Sequence, residues 1–118
     1  MKYRWGIFIA NLDPVVGSEQ GKIRPVLVIS EEEINQILPV VNVLPLTSKK
    51  ANRKIYSNEV LIPFDVGELE KTSIVLCYQI RTLDKKRLIK KTGEIIEPQL
   101  KKDIMEALCF QLGIQIDC

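Results

Sequence analysis

Asn11-Leu12-Asp13-Pro14-Val15-Val16-Gly17-Ser18-Glu19-Gln20-Gly21-Lys22-Ile23-Arg24-Pro25-Val26-Leu27-Val28-Ile29-Ser30 is the stretch from which the fold of this chain is read. Its end, Pro25 to Ile29, is β-branched and continuously apolar, the pattern of a strand buried on both faces. Proline is tolerable at the first position of such a strand. Its middle, Gly17 to Gly21, is polar and bracketed by glycines, and reads as a loop. Upstream, Gly6 to Leu12 forms a first strand that Asp13-Pro14 ends. Downstream, Ser30 and Glu33 spell S-x-x-E, a capping box, with Glu31 and Glu32 at the positive end of a short helix that Pro39 stops.

The same reading extends to the C-terminus. Strands are predicted at Val40 to Leu46, near Glu59 to Ile62, and at Ser73 to Tyr78. A turn around Asp84-Lys85-Lys86 leads to a final strand pair near Leu88 to Ile96. Pro98 opens the only long helix. Leu100, Ile104, Ala107, Leu108 and Leu112 share one face of it and dock it on the sheet. Met105, Cys109 and Ile116 form a second stripe, read equally well as peripheral core or as a subunit contact. The predicted architecture is mainly β with α: a small, strongly bent sheet or barrel in one domain, residues 1–118, with a short capped helix and a C-terminal α-helix.

Composition narrows the function classes. With 118 residues and 46% hydrophobic content, the chain builds a core without disulfides, and intrinsic disorder is excluded. The 3 cysteines are odd in number and lack C-x-x-C spacing, as in a reducing compartment. Histidine is absent, which removes Ser-His-Asp and Cys-His triads and imidazole metal sites. Neither a signal peptide nor a stretch of roughly 20 apolar residues is found, so the expected location is cytoplasmic, away from membranes. No cofactor and no metal site are expected. The net charge of +2 conceals two purely basic runs: Lys49, Lys50, Arg53 and Lys54, and Lys85, Lys86, Arg87, Lys90 and Lys91. One such run is ordinarily a solvated loop. Two on a small domain make a polyanion partner plausible.

Three features carry chemistry only in combination. A glycine-bracketed loop alone is usually a turn. Arg24 precedes Pro25, which holds it extended at the mouth of a buried strand, where its guanidinium fork suits phosphate oxygens. A salt bridge to Glu19 or Asp13 is the plainer alternative. Thr47 and Ser48 place two hydroxyls at a strand end just before Lys49-Lys50, where hydroxyls ordinarily cap turns. Together they describe a phosphodiester site.

The block Asn11 to Ser30, with Pro45-Leu46-Thr47-Ser48 and Gln79-Ile80-Arg81-Thr82-Leu83-Asp84-Lys85-Lys86-Arg87-Leu88, resembles the MazF/PemK family of toxin ribonucleases in order and spacing over nearly the whole chain. The resemblance implies an SH3-like small β-barrel, a homodimer, and sequence-specific, metal-independent cleavage of single-stranded RNA. It implies that Arg24 and Thr47 are catalytic and that Ser18, Glu19, Gln20 and Gln79 hold RNA. Ser48, Lys49, Lys50, Arg53 and Lys54 join the expected RNA surface through their charge and position. The implied protein partner is a cognate antitoxin with a disordered acidic segment.

Two departures stand out. Arg4-Trp5-Gly6 replaces an R-G-acid start, and Tyr78 stands where some members have an acid. Trp5 and Tyr78 can act as base-stacking platforms, although core or edge packing is the ordinary role of both. The chemistry fits the inventory, because RNA supplies its own nucleophile in the 2′-hydroxyl. Glu19 is the nearby carboxylate available as a proton acceptor. The rival reading is a binding protein on the same fold, either a gyrase poison or an inactive RNA binder. Gyrase poisons of this fold use an aromatic tail, and Leu112 to Cys118 contains no aromatic residue.

Overall fold

The computed structural model describes residues 1–115. Seven antiparallel strands form one bent sheet: β1 (Gly6–Asn11), β2 (Ile23–Val28), β3 (Val40–Ser48), β4 (Glu59–Ile62), β5 (Ser73–Leu76), β6 (Arg81–Asp84) and β7 (Leu88–Glu94). Their order is β4-β5-β3-β2-β1-β7, with β6 also paired to β3, so β4 and β7 are edges and the barrel is not closed. Two helices complete the chain, α1 (Glu32–Ile37) and α2 (Pro98–Leu112).

The middles of the central strands are apolar on both sides because both faces of the sheet bear a buried cluster. Ile7, Leu27, Leu44 and Leu46 point into a cluster with Ile62, Val75, Ile95 and the α2 residues Ile104, Ala107 and Leu108. Their neighbours along the strands, Phe8, Val26, Val28 and Val43, point the other way into a second cluster with Ala10, Leu12, Val41 and Leu83. A period-2 alternation between two apolar faces is the reason Pro25 to Ile29 reads as an unbroken run. Trp5 is core, buried in the first cluster, and is not a platform for bases.

Several sequence expectations are corrected. The Ser30–Glu33 capping box does not form: the N-cap is Glu31, with no side-chain cap bond. The Ser30 hydroxyl instead donates to Asn35 Oδ1 and accepts the Asn42 N–H, joining α1 to β3. The acid that matters is Glu32, which accepts the backbone N–H groups of Tyr3 and Arg4. Strand β5 stops at Leu76, and Tyr78 lies in a 3-10 turn, Cys77–Gln79. The final strand pair is a single strand, β7, because the preceding segment Arg81–Asp84 is itself a strand, β6, paired to β3. On α2, Leu112 is exposed and off the buried face. Met105 packs against the core, Cys109 is half-buried, and Ile116 lies outside the described residues. The helix opens on Pro98 as predicted and ends at Gly113, whose φ of 69° lets its N–H turn back to the Cys109 and Phe110 carbonyls.

Gly93 is required where the turn after β4 meets β7. A Cβ at that position would overlap the Gly67 carbonyl, so only glycine admits the approach. Gly67 and Glu68 both adopt left-handed backbone there, with φ of 63° and 60°.

Glu32 makes a testable contribution to stability. Burial opposes its charge, but the N–H groups of Arg4 and Tyr3 and the carboxamides of Gln36 and Asn35 outweigh burial and hold its carboxyl at about 2, below 4.5. A carboxyl depressed in the folded state stabilises above its ordinary range and loses that contribution as pH falls from 4.5 toward 2. Glu32→Gln is therefore expected to lower stability at pH 7 by on the order of 1–2 kcal/mol. The difference should shrink as the pH falls through that window, read by denaturant unfolding at stepped pH.

Candidate nucleic-acid site

The site is created where two strands part. In the antiparallel ladder of β2 and β3, Val28 faces Val43, Leu27 faces Leu44 and Val26 faces Pro45, and the pairing stops there. Just beyond this ladder, the Ile29 N–H donates to the Asn42 carbonyl (3.0 Å), so the hydrogen-bonding positions are 27/44 and then 25/46. Pro25 occupies one of these and has no N–H to give. The ladder therefore ends at the proline. β2 continues on β1 alone, with Arg24 opposite Ala10. β3 continues on its other side, with Leu46 to Ser48 paired to β5.

Were the β2–β3 count continued past the fork, Arg24 would fall opposite Thr47, on the sheet face opposite Leu46. Neither plain alternative for Arg24 occurs. Its Nε donates to the Gly21 carbonyl (2.9 Å), Glu19 accepts from the Val16 N–H (2.6 Å), and Asp13 accepts from the Lys22 N–H (2.7 Å). Arg24 thus holds the end of the Gly17–Gly21 loop and is partly buried beneath it. Glu19, the carboxylate proposed as a proton acceptor, has one oxygen engaged within its own loop.

The fork opens into a cleft of about 240 Å³ lined by Gln20, Thr47, Ser48, Lys50, Arg53 and Tyr78. Five of these are sequence-predicted site residues. Arg24 and Gln79 stand beside the cleft rather than on its wall. Gln79 bridges from the turn after β5 to the loop: its Oε1 accepts the Gln20 N–H (3.3 Å) and its Nε2 donates to the Ser18 carbonyl (3.1 Å). Ser18, Glu19, Lys49 and Lys54 are not on the cleft wall. The Lys49 backbone N–H donates to the Thr72 carbonyl, and Lys54 Nζ lies 5.9 Å from the centre of the Tyr56 ring.

Arg53 is less free than its basic run implied. Its guanidinium makes a two-pronged bond to Glu59, at 3.0 and 2.6 Å, and also donates to the Lys54 carbonyl. The Glu59 side chain is only 2% exposed. The bond to Arg53 outweighs burial and holds the Glu59 carboxyl below its ordinary value, while the same bond raises Arg53. Glu59 escaped the sequence reading because a lone acid at a strand start looks solvated. The signal was its position directly before Val60-Leu61-Ile62. Tyr78, read above as a stacking platform or as ordinary packing, is 42% exposed on the cleft wall and offers an aromatic face there.

The second basic run is largely structural. Arg87 donates to the Asn11 and Asp13 carbonyls, Lys91 bonds Glu94, and Lys85 lies 4.7 Å from the centre of the Tyr3 ring. Buried Cys77 is no nucleophile, since burial, with Glu59 nearby, pushes its thiol up to about 12. Among the described residues, no three or more Cys, Asp or Glu side chains are grouped to hold a metal, and no helix is long and apolar enough to cross a membrane.

Comparisons with known proteins bear on the family and the fold. The model of the "PemK-like, MazF-like toxin of type II toxin-antitoxin system" family matches residues 3–112. An endoribonuclease MazF from Staphylococcus saprophyticus is 38% identical over 97% of this chain and 93% of its own. The crystal structure of MazF from Deinococcus radiodurans superposes with a TM-score of 0.78 at 27% identity, covering 94% of this chain and 96% of that one. A MazE–MazF crystal structure from the same organism gives 0.72 at 25% identity, covering 95% and 96%.

The Gln79 bridge yields a direct test. Gln79→Ala removes two hydrogen bonds to the loop, each contributing about 1 kcal/mol net. Amide exchange at Gln20 should accelerate roughly tenfold, while exchange in β1 and β2 stays unchanged. Unchanged exchange at Gln20 would show that the bridge does not restrain the loop.

Proposed function

The chain belongs to the PemK-like, MazF-like toxin family of type II toxin–antitoxin systems and is an RNA-cleaving endoribonuclease; we propose that it cuts single-stranded RNA at the β2–β3 fork, with Arg24 and Thr47 acting on the scissile phosphate. The observation that supports this reading is the end of the β2–β3 ladder at Val26 and Pro45, beyond which the same count, carried on two residues, would bring Arg24 opposite Thr47.

The ribose 2′-oxygen attacks phosphorus as its proton passes to solvent water. The bond to the 5′-oxygen breaks, and solvent water returns a proton to that leaving oxygen. One fragment ends in a 2′,3′-cyclic phosphate and the other begins with a 5′-hydroxyl. Arg24 stabilises the charge that builds on the phosphoryl oxygens through paired N–H donors, and Thr47 donates its hydroxyl to the same oxygens. Because Arg24 also carries the Gly21 carbonyl on its Nε, the loop and the guanidinium orient each other. Gln20, Ser48 and Lys50 hold the strand, Tyr78 gives a base a surface to stack on, and Lys49 and Lys54 add charge beside the cleft. Ser18 and Glu19 meet the strand from the loop, and Arg53 and Gln79 position the wall. No residue in this scheme requires a metal.

The protein partner of a type II toxin is its antitoxin, and the MazE–MazF complex of the Deinococcus relative supports such a partner here. An acidic disordered segment would fold onto Lys49, Lys50 and Lys54. We propose that the toxin is a homodimer. Exposed Phe110 and Tyr56 flank one broad hollow, an apolar surface that a second copy would cover. A monomer by light scattering at micromolar concentration would contradict this.

Incubation with a long RNA and with DNA of the same sequence tests the chemistry. The RNA should give discrete fragments with 2′,3′-cyclic phosphate and 5′-hydroxyl ends, undiminished by EDTA, and the DNA should stay intact. Cleavage of the DNA, or loss of activity in EDTA, would overturn the scheme. Thr47→Ser should keep most of the rate, because the donor survives. Thr47→Ala should lose on the order of 10²-fold, the effect of deleting one preorganised donor.

A further inference from the structure

We propose that a second cavity, behind the end of β3, is a subsite for the nucleobase next to the scissile phosphate, and that it favours bases carrying an exocyclic amino group. This rests on the endoribonuclease reading above and extends it to a specificity determinant.

The cavity, of about 340 Å³, is built from two rows of register partners and a strained turn. Its floor is the row Lys90–Ile9–Pro25, three residues side by side on β7, β1 and β2. Its end wall is the pair Ser48–Ser73 on β3 and β5. Its roof is the turn from Glu68 to Lys71. Ile9, Pro25 and Leu69 give it apolar surfaces of the kind a base ring packs against, and its volume lies in the small-ligand range.

Two features connect the cavity to the cleavage cleft. Ser48 lines both hollows and forms the rim between them. Thr47 and Ser48 are successive residues of one strand, so their side chains leave it on opposite faces. A strand of RNA whose phosphate rests at Thr47 therefore passes over Ser48, and its next base drops behind β3. The assigned catalytic residues and the cavity are adjacent in sequence on both sides of the fork: Arg24 beside Pro25, and Thr47 beside Ser48.

The roof is held in place before any ligand arrives. Gly67 lies against Gly93 at a separation no side chain would permit, and Glu68 adopts a left-handed backbone, unusual for a residue with a side chain. The Ser73 hydroxyl donates to the Lys71 carbonyl (2.9 Å) and fixes the far end of the turn. This turn presents Glu68 and Glu70 to the cavity, with Lys71 and Lys90 also on its lining. None of these four charges makes an ion pair among the described residues. Carboxylates only accept hydrogen bonds, so they favour base edges rich in N–H donors, namely the amino groups of adenine, cytosine or guanine. Uracil presents two carbonyls and one N–H, the poorest match. The lysines answer the flanking phosphates, which keeps two acids compatible with an RNA strand.

The test is binding, separated from cutting. The cleavage site is first mapped on a long RNA. A short RNA containing it is then blocked by a 2′-deoxy sugar at the scissile position. It is made with each of the four bases, or an abasic sugar, at either neighbouring nucleotide. Fluorescence anisotropy is read for the wild-type protein and for Glu70→Gln and Lys71→Ala. At one of the two neighbours, the wild type should bind the amino-bearing bases at least tenfold more tightly than the abasic RNA, and more tightly than uridine. Glu70→Gln should bring uridine and the amino-bearing bases within about threefold of each other, with abasic binding unchanged. Lys71→Ala should weaken all versions alike. Equal binding of abasic and intact RNA at both neighbours, or a base preference unaltered by Glu70→Gln, would overturn the subsite.

If the long RNA is not cut, the endoribonuclease reading fails by itself. The same panel is then run on unmodified RNA tiles of that sequence, where a base preference that Glu70→Gln abolishes supports the cavity as a base site and its absence refutes it.

Discussion

A missing N–H organises this molecule. Pro25 falls at a hydrogen-bonding position of the β2–β3 ladder and cannot donate, so the two strands part after Val26 and Pro45. The proposed cleavage site sits at that fork. β2 stays with β1 and carries Arg24 to its end. β3 stays with β5 and carries Thr47 and Ser48 to its own. Had the ladder continued, Arg24 and Thr47 would be ordinary cross-strand neighbours in a closed surface. The interruption makes an edge of buried backbone into a cleft, without exposing the two apolar clusters that hold the strands apart.

Around the fork, charged and amide side chains restrain the walls. Arg24 grips Gly21, Gln79 grips the backbone of Ser18 and Gln20, and Arg53 is locked on buried Glu59. These contacts explain how a site built largely on loops is kept in register. A loop that must receive a flexible polyanion benefits from being ordered beforehand, because less conformational freedom is then lost on binding. The basic character of the surface is accordingly smaller than the count of lysines and arginines implies. Lys50 and the neighbouring Lys49 and Lys54 supply the charge at the cleft, while Arg87 and Lys91 hold the protein together.

Much of this was legible in the sequence. The unbroken run Pro25 to Ile29 marked a central strand, Pro98 marked the start of α2, and the loop Gly17 to Gly21 was bounded by its glycines. The parting of β2 and β3 after Val26 and Pro45 was not legible, because register between the two strands is a long-range property set by side-chain packing on both faces. Ser30 misled for a related reason: S-x-x-E describes a local cap, but Asn35 and the backbone of β3 compete for the same hydroxyl and win. Strand β6 was hidden because three of its four residues, Arg81, Thr82 and Asp84, are polar and it pairs only with the far end of β3. Glu59 was hidden because its partner Arg53 reads as one more cation in a basic run. In each case the deciding partner lay elsewhere in the chain, or its role did.

Whether Arg24 and Thr47 meet the same phosphate is decided by a double-mutant cycle on single-turnover cleavage. The rates of wild type, Arg24→Ala, Thr47→Ala and the double variant are measured on one short RNA, each beside a thermal melt. Two groups acting together on one phosphoryl centre are non-additive. The double variant should be little slower than Arg24→Ala alone, with all four proteins folded. Losses that multiply, or an Arg24→Ala enzyme that stays folded and cuts within about tenfold of wild type, would contradict a shared catalytic centre at the fork.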